Sequence, residues 1–368
     1  MNRGAKKHML HVTGYAIRGG CETCCSVFVG NSPEFEHTVL VLGESGPMTE
    51  IWRRLGARVV HLDALGLGWI RFFERMRTEL VHLAPFDTVI LWARIRAPLM
   101  LAVLARYKRP VVLHAGNPFN ERWRVRQLLR ACAFLPRPRS TIIVGCSVHV
   151  ARSFRRAPYY RRFPVESCLN PVTSNPSNPH RPRILTPGDQ VRLGMVARLD
   201  PIKDHGMLLR TFAFLRADWP GAELHLAGDG SLRSSLEALA GELGIASAVH
   251  FHGSVEGVAG FLGMLDLFCY FTTTREGMGN ALAEALTFGL PCVVSDLPVM
   301  HEVAGEPGDG VVLFTKPDPR AGALAMSGLL GDVGARETLS ARAFLRGNTW
   351  FAPRRVVERY LALMETKS

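Results

Sequence analysis

The chain has 368 residues, room for two ordinary domains. Hydrophobic residues make up 47% and charged residues 21%, which excludes a disordered chain, and the longest apolar runs, such as 97–105, are too short to span a bilayer. The net charge of +12 is uneven: residues 1–172 hold 26 Lys and Arg against 11 Asp and Glu (+15), and residues 173–368 hold 18 against 21 (−3).

In chain order, apolar strand-like runs fall at 8–13, 37–42, 58–62, 88–92, 110–114 and 141–144, with helical stretches such as 47–55, 69–82 and 97–107 between them. Alternation of this kind predicts a parallel sheet with helices on both faces. The pattern breaks at 170–190, where Pro171, Pro176, Pro179, Pro182 and Pro187 read as a linker. It restarts with strands at 191–196, 223–227, 249–251, 267–271, 291–295 and 310–314. Two α/β domains follow, with a hinge in the linker and a ligand expected at strand C-terminal ends, in a cleft between facing domains. The last segment, 351–364, is amphipathic and reads as a helix that caps the second domain or crosses back onto the first.

The basic N-terminus lacks a long apolar core and is not expected to be a signal peptide. The eight cysteines are scattered, which predicts reduced thiols in a cytosolic protein. Cys21, Cys24 and Cys25 invite a metal reading, but no second Cys/His pair stands at zinc-finger spacing.

The chemistry-bearing residues cluster in the second half. Arg198 and Lys203 follow the strand at 191–196, where two cations can grip a diphosphate without a metal. The next strand runs into Gly228-Asp229-Gly230, whose glycines allow close backbone approach to a ligand. Each feature alone is an ordinary surface motif. The stretch from Thr272 to Glu284 is more specific. A strand enters the turn Glu276-Gly277-Met278-Gly279, and a helix starts near Asn280, its N-terminus aimed at a phosphate. Glu276 lies in the turn, and Glu284 one turn into the helix on the Asn280 face.

Five ordered motifs, ARLDPIKD, LAGDGSLR, VHFHGSV, DLFCYFTTTREGMGNALAEAL and GLPCVVSDLP, cover nearly all of 191–314. This half resembles the retaining GT-B glycosyltransferases of family 4 (group 1 glycosyltransferases). The resemblance implies an α/β GT-B fold of two Rossmann-like domains with parallel sheets facing a cleft. It places an acceptor-binding domain at 1–172, a nucleotide-sugar domain at 173–350, and a C-terminal helix at 351–368 packing back on the first domain. It implies that Arg198 and Lys203 hold the donor diphosphate, Glu276 contacts the transferred sugar and Glu284 binds the ribose. Gly277, Met278, Gly279, Asn280, Ala281 and Leu282 would offer backbone N–H groups to phosphate and sugar. Gly228 would line the donor, and Ser254 and Val255 would lie near the base. Gly20, after the first strand, is similar to the family's glycine loop against the diphosphate and acceptor. His114, at a strand end before Ala115-Gly116-Asn117-Pro118, would contact the donor sugar.

The implied reaction is metal-independent hexosyl transfer, with the nucleotide-sugar, by default UDP-linked, as co-substrate. No resident cofactor and no divalent metal are expected, because no Asp-x-Asp motif is present. Donor-induced closure about the linker is expected. The acceptor is expected to be a glycan or lipid-linked molecule of cell-surface polysaccharide, lipopolysaccharide or glycolipid synthesis. A soluble small-molecule acceptor, a sugar-nucleotide epimerase, or a non-catalytic nucleotide-sugar-binding protein of the same fold are the alternatives. Arg53, Arg54, Arg71, Arg75, Arg77, Arg122, Arg124, Arg126, Arg130, Arg152, Arg155, Arg156, Arg161 and Arg162 would dock on anionic lipid or a lipid-linked diphosphate. That implies a cytoplasmic protein, peripheral on the inner face of the plasma membrane. Trp69, Ile70, Phe72 and Phe73 lie among these arginines, although a core-facing helix accounts for the aromatics more simply. The basic residues are spread, not striped, and no nucleic-acid-binding motif accompanies them, so no nucleic acid partner is expected.

Overall fold

The computed structural model describes residues 6–92, 96–119, 127, 129–173, 179–305, 311–314 and 318–365. Arg122, Arg124, Arg126 and linker positions 174–178 lie outside the described residues. The chain divides into two compact units: Met1–Pro171 together with Pro353–Ser368, and Val172–Ala352.

The first unit is built on a seven-stranded sheet of β1 (Lys7–Thr13), β2 (Phe35–Val41), β3 (Arg58–His61), β4 (Thr88–Leu91), β5 (Val111–Ala115), β6 (Thr141–Gly145) and β7 (Val165–Ser167). The order is β3-β2-β1-β4-β5-β6-β7, and every pairing is parallel. Central strands of a parallel sheet are covered on both faces, so Val89, Ile90, Leu91, Val112 and Leu113 are apolar in unbroken runs and fully buried. β7 escapes sequence reading because it is three residues long at the sheet edge, with Val165 alone of the three buried. The helices are α1 (Gly20–Asn31), α2 (Pro47–Arg54), α3 (Trp69–Leu83), α4 (Ala97–Leu104) and α5 (Val148–Arg155).

On α3 the buried stripe is Phe72, Met76, Leu80 and Leu83, spaced by three and four residues. The simpler core-facing account therefore holds for Phe72 but not for the first turn. Trp69 is 46% and Ile70 77% exposed, because the helix begins there and the stripe that meets the core starts at Phe72. Cys24 and Cys25 of α1 are fully buried among core side chains, and no disulfide joins the cysteines among the described residues.

The C-terminal helix Pro353–Glu365 belongs to this unit. Val356, Val357, Tyr360 and Met364 recur at helical spacing and join Met9, Phe28, Ile90, Trp92 and Val112 in one core cluster. Polar groups are threaded through the same core. The Trp92 indole N–H donates to His11 Nδ1 at 3.1 Å. An indole can only donate, so His11 must carry its proton on Nε2, which lies 3.0 Å from His37 Nδ1. His37 then donates from Nε2 to the Ser32 carbonyl at 3.0 Å. Burial holds both imidazoles below their ordinary range, with nearby imidazoles adding to the effect on His11.

The second unit contains β8 (Val191–Val196), β9 (Ala222–Ala227), β10 (Val249–Gly253), β11 (Leu267–Tyr270), β12 (Cys292–Ser295) and β13 (Val311–Phe314). All are parallel, in the order β10-β9-β8-β11-β12-β13. This is the doubly wound arrangement, and its strand order reverses between β8 and β11, the position where such sheets open a ligand crevice. The helices are α6 (His205–Asp218), α7 (Arg233–Glu242), α8 (Val258–Gly263), α9 (Asn280–Thr287), α10 (Pro298–Ala304), α11 (Pro319–Gly331) and α12 (Val333–Trp350).

The proline-rich segment is not a free linker throughout. Arg183 forms a two-pronged ion pair with Asp266 (2.9 and 3.1 Å), and the His180 N–H donates to the Phe288 carbonyl. Asp266 also accepts the Arg192 N–H at 2.9 Å. The part from His180 onward is thereby fastened to the second sheet, which a reading of prolines alone does not reveal. Among the described residues, no helix is long and apolar enough to cross a membrane.

Candidate active site

The crevice position between β8 and β11 gathers Lys203, Tyr270, Thr272 and Glu276. The loop after β8 is shaped by Asp200, whose carboxylate accepts the Ile202 N–H at 3.0 Å and whose carbonyl accepts the Lys203 N–H. Asp204 then caps α6 through the Met207 N–H. Between these two aspartates Lys203 is turned inward, and its ammonium pairs with Glu276 Oε2 and reaches the Tyr270 hydroxyl. Tyr270 donates to Glu276 Oε2 at 3.0 Å, the Thr272 hydroxyl lies 3.0 Å from the same oxygen, and the Gly277 N–H donates to Oε1 at 3.0 Å.

Glu276 is 5% exposed. Burial alone would raise its pKa, but the Lys203 ammonium and the hydrogen bonds from Lys203, Thr272 and Tyr270 outweigh it and hold the carboxyl below its ordinary range. The result is an oriented, ionised carboxylate beside a cation at a strand end. Glu284 contrasts with it. It is half-buried on α9, and burial pushes its pKa up to about 7. The two acids, read as a pair in the sequence, therefore differ in charge near neutrality.

The remaining expected residues fall as follows. Arg198 is mostly exposed and pairs with Asp200 at 2.9 Å, so it faces solvent where Lys203 is turned in. Gly279 caps α9 with φ +83°, and a Cβ there would stand 2.8 Å from the Tyr270 ring. Asn280 opens α9, Ala281 is half-buried, and Met278 and Leu282 are buried. Two of the expected backbone donors are engaged inside the turn: Gly277 with Glu276 Oε1 and Leu282 with the Gly279 carbonyl. Gly228, at φ +137°, would place a Cβ 1.9 Å from the Ala197 carbonyl oxygen, and Gly230 one 2.4 Å from that of Leu199. These glycines let the loops after β8 and β9 touch backbone to backbone. Ser254, exposed, and Val255, half-buried, follow the end of β10.

Gly20 and His114 lie in the other unit. Gly20 is the exposed first residue of α1. His114 is fully buried in β5, its Nδ1 2.8 Å from the Tyr360 hydroxyl and its ring against Trp92. Tyr270 and Thr272, which hold Glu276, and Tyr360, which holds His114, were not singled out from the sequence. Buried aromatics and a strand-end threonine read there as ordinary core.

Residues 190–332 match the family model of glycosyl transferases group 1. The lipopolysaccharide core biosynthesis glycosyltransferase LpsE of Rhizobium meliloti (strain 1021) is 25% identical over 316 residues, 82% of this chain and 88% of its own length. EpsF of Bacillus subtilis (strain 168), a glycosyltransferase by name, is 35% identical over 108 residues, so this chain spans only 28% of it. Among solved structures, Anabaena HepE in complex with UDP and glucose superposes with a TM-score of 0.80 at 17% identity, over 97% of this chain and 99% of that one. The chain thus has the two-domain α/β fold of GT-B glycosyltransferases, and residues 190–332 in its second unit are similar to glycosyl transferases group 1.

Proposed function

We propose that the chain transfers a sugar from a nucleotide-sugar donor to an acceptor hydroxyl, with retention of anomeric configuration, as in glycosyltransferase family 4. The observation that carries this reading is the ionised Glu276 locked to Lys203 at the crevice of the second sheet, next to the N-terminus of α9. Developing charge on a departing diphosphate needs fixed positive groups. Arg198, the Lys203 ammonium and the α9 amides supply them without a divalent metal. Glu276 faces the sugar, and Glu284 accepts from the ribose hydroxyls.

Retention follows from attack on the face that the diphosphate leaves. The bond from the anomeric carbon to the diphosphate oxygen breaks, the acceptor oxygen bonds to that carbon, and the acceptor proton passes to the diphosphate.

The HepE complexes, with UDP and glucose and with UDP-glucose, support a UDP-linked donor. LpsE supports an acceptor of the lipopolysaccharide or related cell-surface class. A peripheral position on anionic membrane is supported by Trp69 and Ile70, exposed beside exposed Arg71 and Arg75 on α3.

A panel of UDP-, GDP- and ADP-sugars tests the donor, with NMR of the product reading its anomer. Retention with a UDP-sugar is expected, and inversion overturns the mechanism. Added Mg2+ or Mn2+ leaves the rate unchanged. Lys203→Ala lowers turnover by a factor on the order of 10² to 10³. Full activity in that variant removes Lys203 from the site. Flotation with anionic vesicles is expected to carry the native chain but not a Trp69→Ser, Ile70→Ser variant; equal flotation of both excludes this helix as the contact.

A further inference from the structure

The second sheet ends at β10, and its outer two strands carry imidazoles that the donor site does not use. Glu223 and His225 stand two residues apart on β9, and His250 and His252 two apart on β10. Side chains alternate along a strand, so each pair lies on one face. The register sets His250 opposite His225, which brings both pairs onto the same face.

The His225 and His250 rings stack, with centroids 4.7 Å apart and planes 24° apart. Their Nε2 atoms are buried and have no hydrogen-bond partner among the described residues. Both point to one carboxylate oxygen: Glu223 Oε2 lies 3.5 Å from His225 Nε2 and 3.9 Å from His250 Nε2. At 3.9 Å the second separation is no hydrogen bond, and the first lies beyond the usual range. One donor atom from each of the three residues lies within 4.8 Å of the other two. Ligands bound at the distances zinc prefers stand about 3.3 Å apart in a tetrahedral shell. The shorter separations need only small side-chain shifts to reach that spacing.

We propose that Glu223, His225 and His250 form a three-ligand site for a divalent transition-metal cation of the zinc class at the outer edge of the second sheet. Two imidazoles and one carboxylate are a ligand set that zinc takes with water in the fourth position. The groups behind the ligands fit as well. The Gln190 side-chain amide donates to Glu223 Oε2 at 2.9 Å, which fixes the carboxylate. His225 Nδ1 lies 3.0 Å from His252 Nε2. When His225 donates there, its Nε2 keeps the lone pair a metal needs. His225 is 7% exposed, so its ring is held in place by its surroundings. Glu223 and His250 are partly exposed, which leaves an entry path and room for bound water.

Glu223 and His250 are each the second residue of their strands, whereas Lys203 and Glu276 follow the C-terminal ends of theirs. A cation here ties the edge strand β10 to β9, and its role is structural.

The test uses the full chain, stripped by a chelator and then titrated with Zn2+ by calorimetry and with Co2+ by visible absorption. One ion per chain is expected, with cobalt bands of low-coordinate nitrogen and oxygen ligation and a metal-dependent rise in melting temperature. Glu223→Gln and His250→Asn each weaken binding about tenfold or more and abolish the rise. His250 is the half-exposed ligand, so its variant carries the test if Glu223→Gln fails to fold. Unchanged affinity in the variants, or no saturable uptake by the native chain, overturns the site.

Discussion

Lys203 and Glu276, the pair on which the proposed function rests, also hold the fold together. Lys203→Met leaves a carboxylate buried without its cation, and loss of one partner of a buried pair costs about 3 to 5 kcal/mol. Calorimetry is expected to show that loss, and Lys203→Met with Glu276→Gln to recover most of the stability but none of the transfer. Glu284 has the opposite electrostatics. Its pKa is raised from an ordinary 4.5 to about 7, so the folded chain keeps a proton there that the unfolded chain has lost. Stability therefore falls as pH rises from about 4.5 to 7, and the penalty is complete above that window. Glu284→Gln is expected to melt higher than the native chain at pH 8 and at the same temperature at pH 4; an equal difference at both values contradicts the assignment.

Helix α9 owes its position to α12. Gly347 lies so close that a Cβ would meet the Thr287 backbone nitrogen at 2.4 Å and the Leu286 carbonyl carbon at 2.5 Å. On either side of it, Asn348 donates to the Thr287 carbonyl at the end of α9, and Arg346 donates to the Val303 and Glu302 carbonyls that end α10. Three consecutive residues thus fix two helices, one of which carries Asn280 and Glu284. Gly347→Ala forces these backbones apart. Overpacking of this kind costs about 1 to 3 kcal/mol. The displaced helix is expected to weaken donor binding without any change to a donor-facing side chain. Isothermal titration with donor, beside a urea melt, checks both effects.

At the scale of the whole molecule, the last helix completes the first unit. Tyr360 is fully buried and supplies the hydroxyl that meets His114, while Val356, Val357 and Met364 fill the same core. Tyr360→Phe removes the partner of a buried nitrogen and is expected to cost about 1 to 3 kcal/mol. A chain ending at Ala352 is expected to lose the melting transition of the first unit and keep that of the second. Retention of both transitions shows that the helix is dispensable.

The sequence by itself determined the two α/β units, most strands to within a residue or two, the positions of Arg198, Lys203 and Glu276 after strand ends, and that of Glu284 one turn into a helix. It could do so because apolar period and strand-terminal glycines are local. The tertiary structure decided what each residue does with its neighbours. Lys203 and Arg198 look alike in a line of text, yet one is turned onto Glu276 and the other onto Asp200 at the surface. Gly228 and Gly230 read as points of close backbone approach, and only the fold shows that the loop after β8 is what they admit. Glu223, His225 and His250 carry no motif along the chain, since 25 residues separate the two histidines and strand register alone sets them opposite each other. Charge state, too, is a tertiary property: the same carboxyl group is held ionised at Glu276 by a cation and hydrogen bonds, and raised at Glu284 by burial alone.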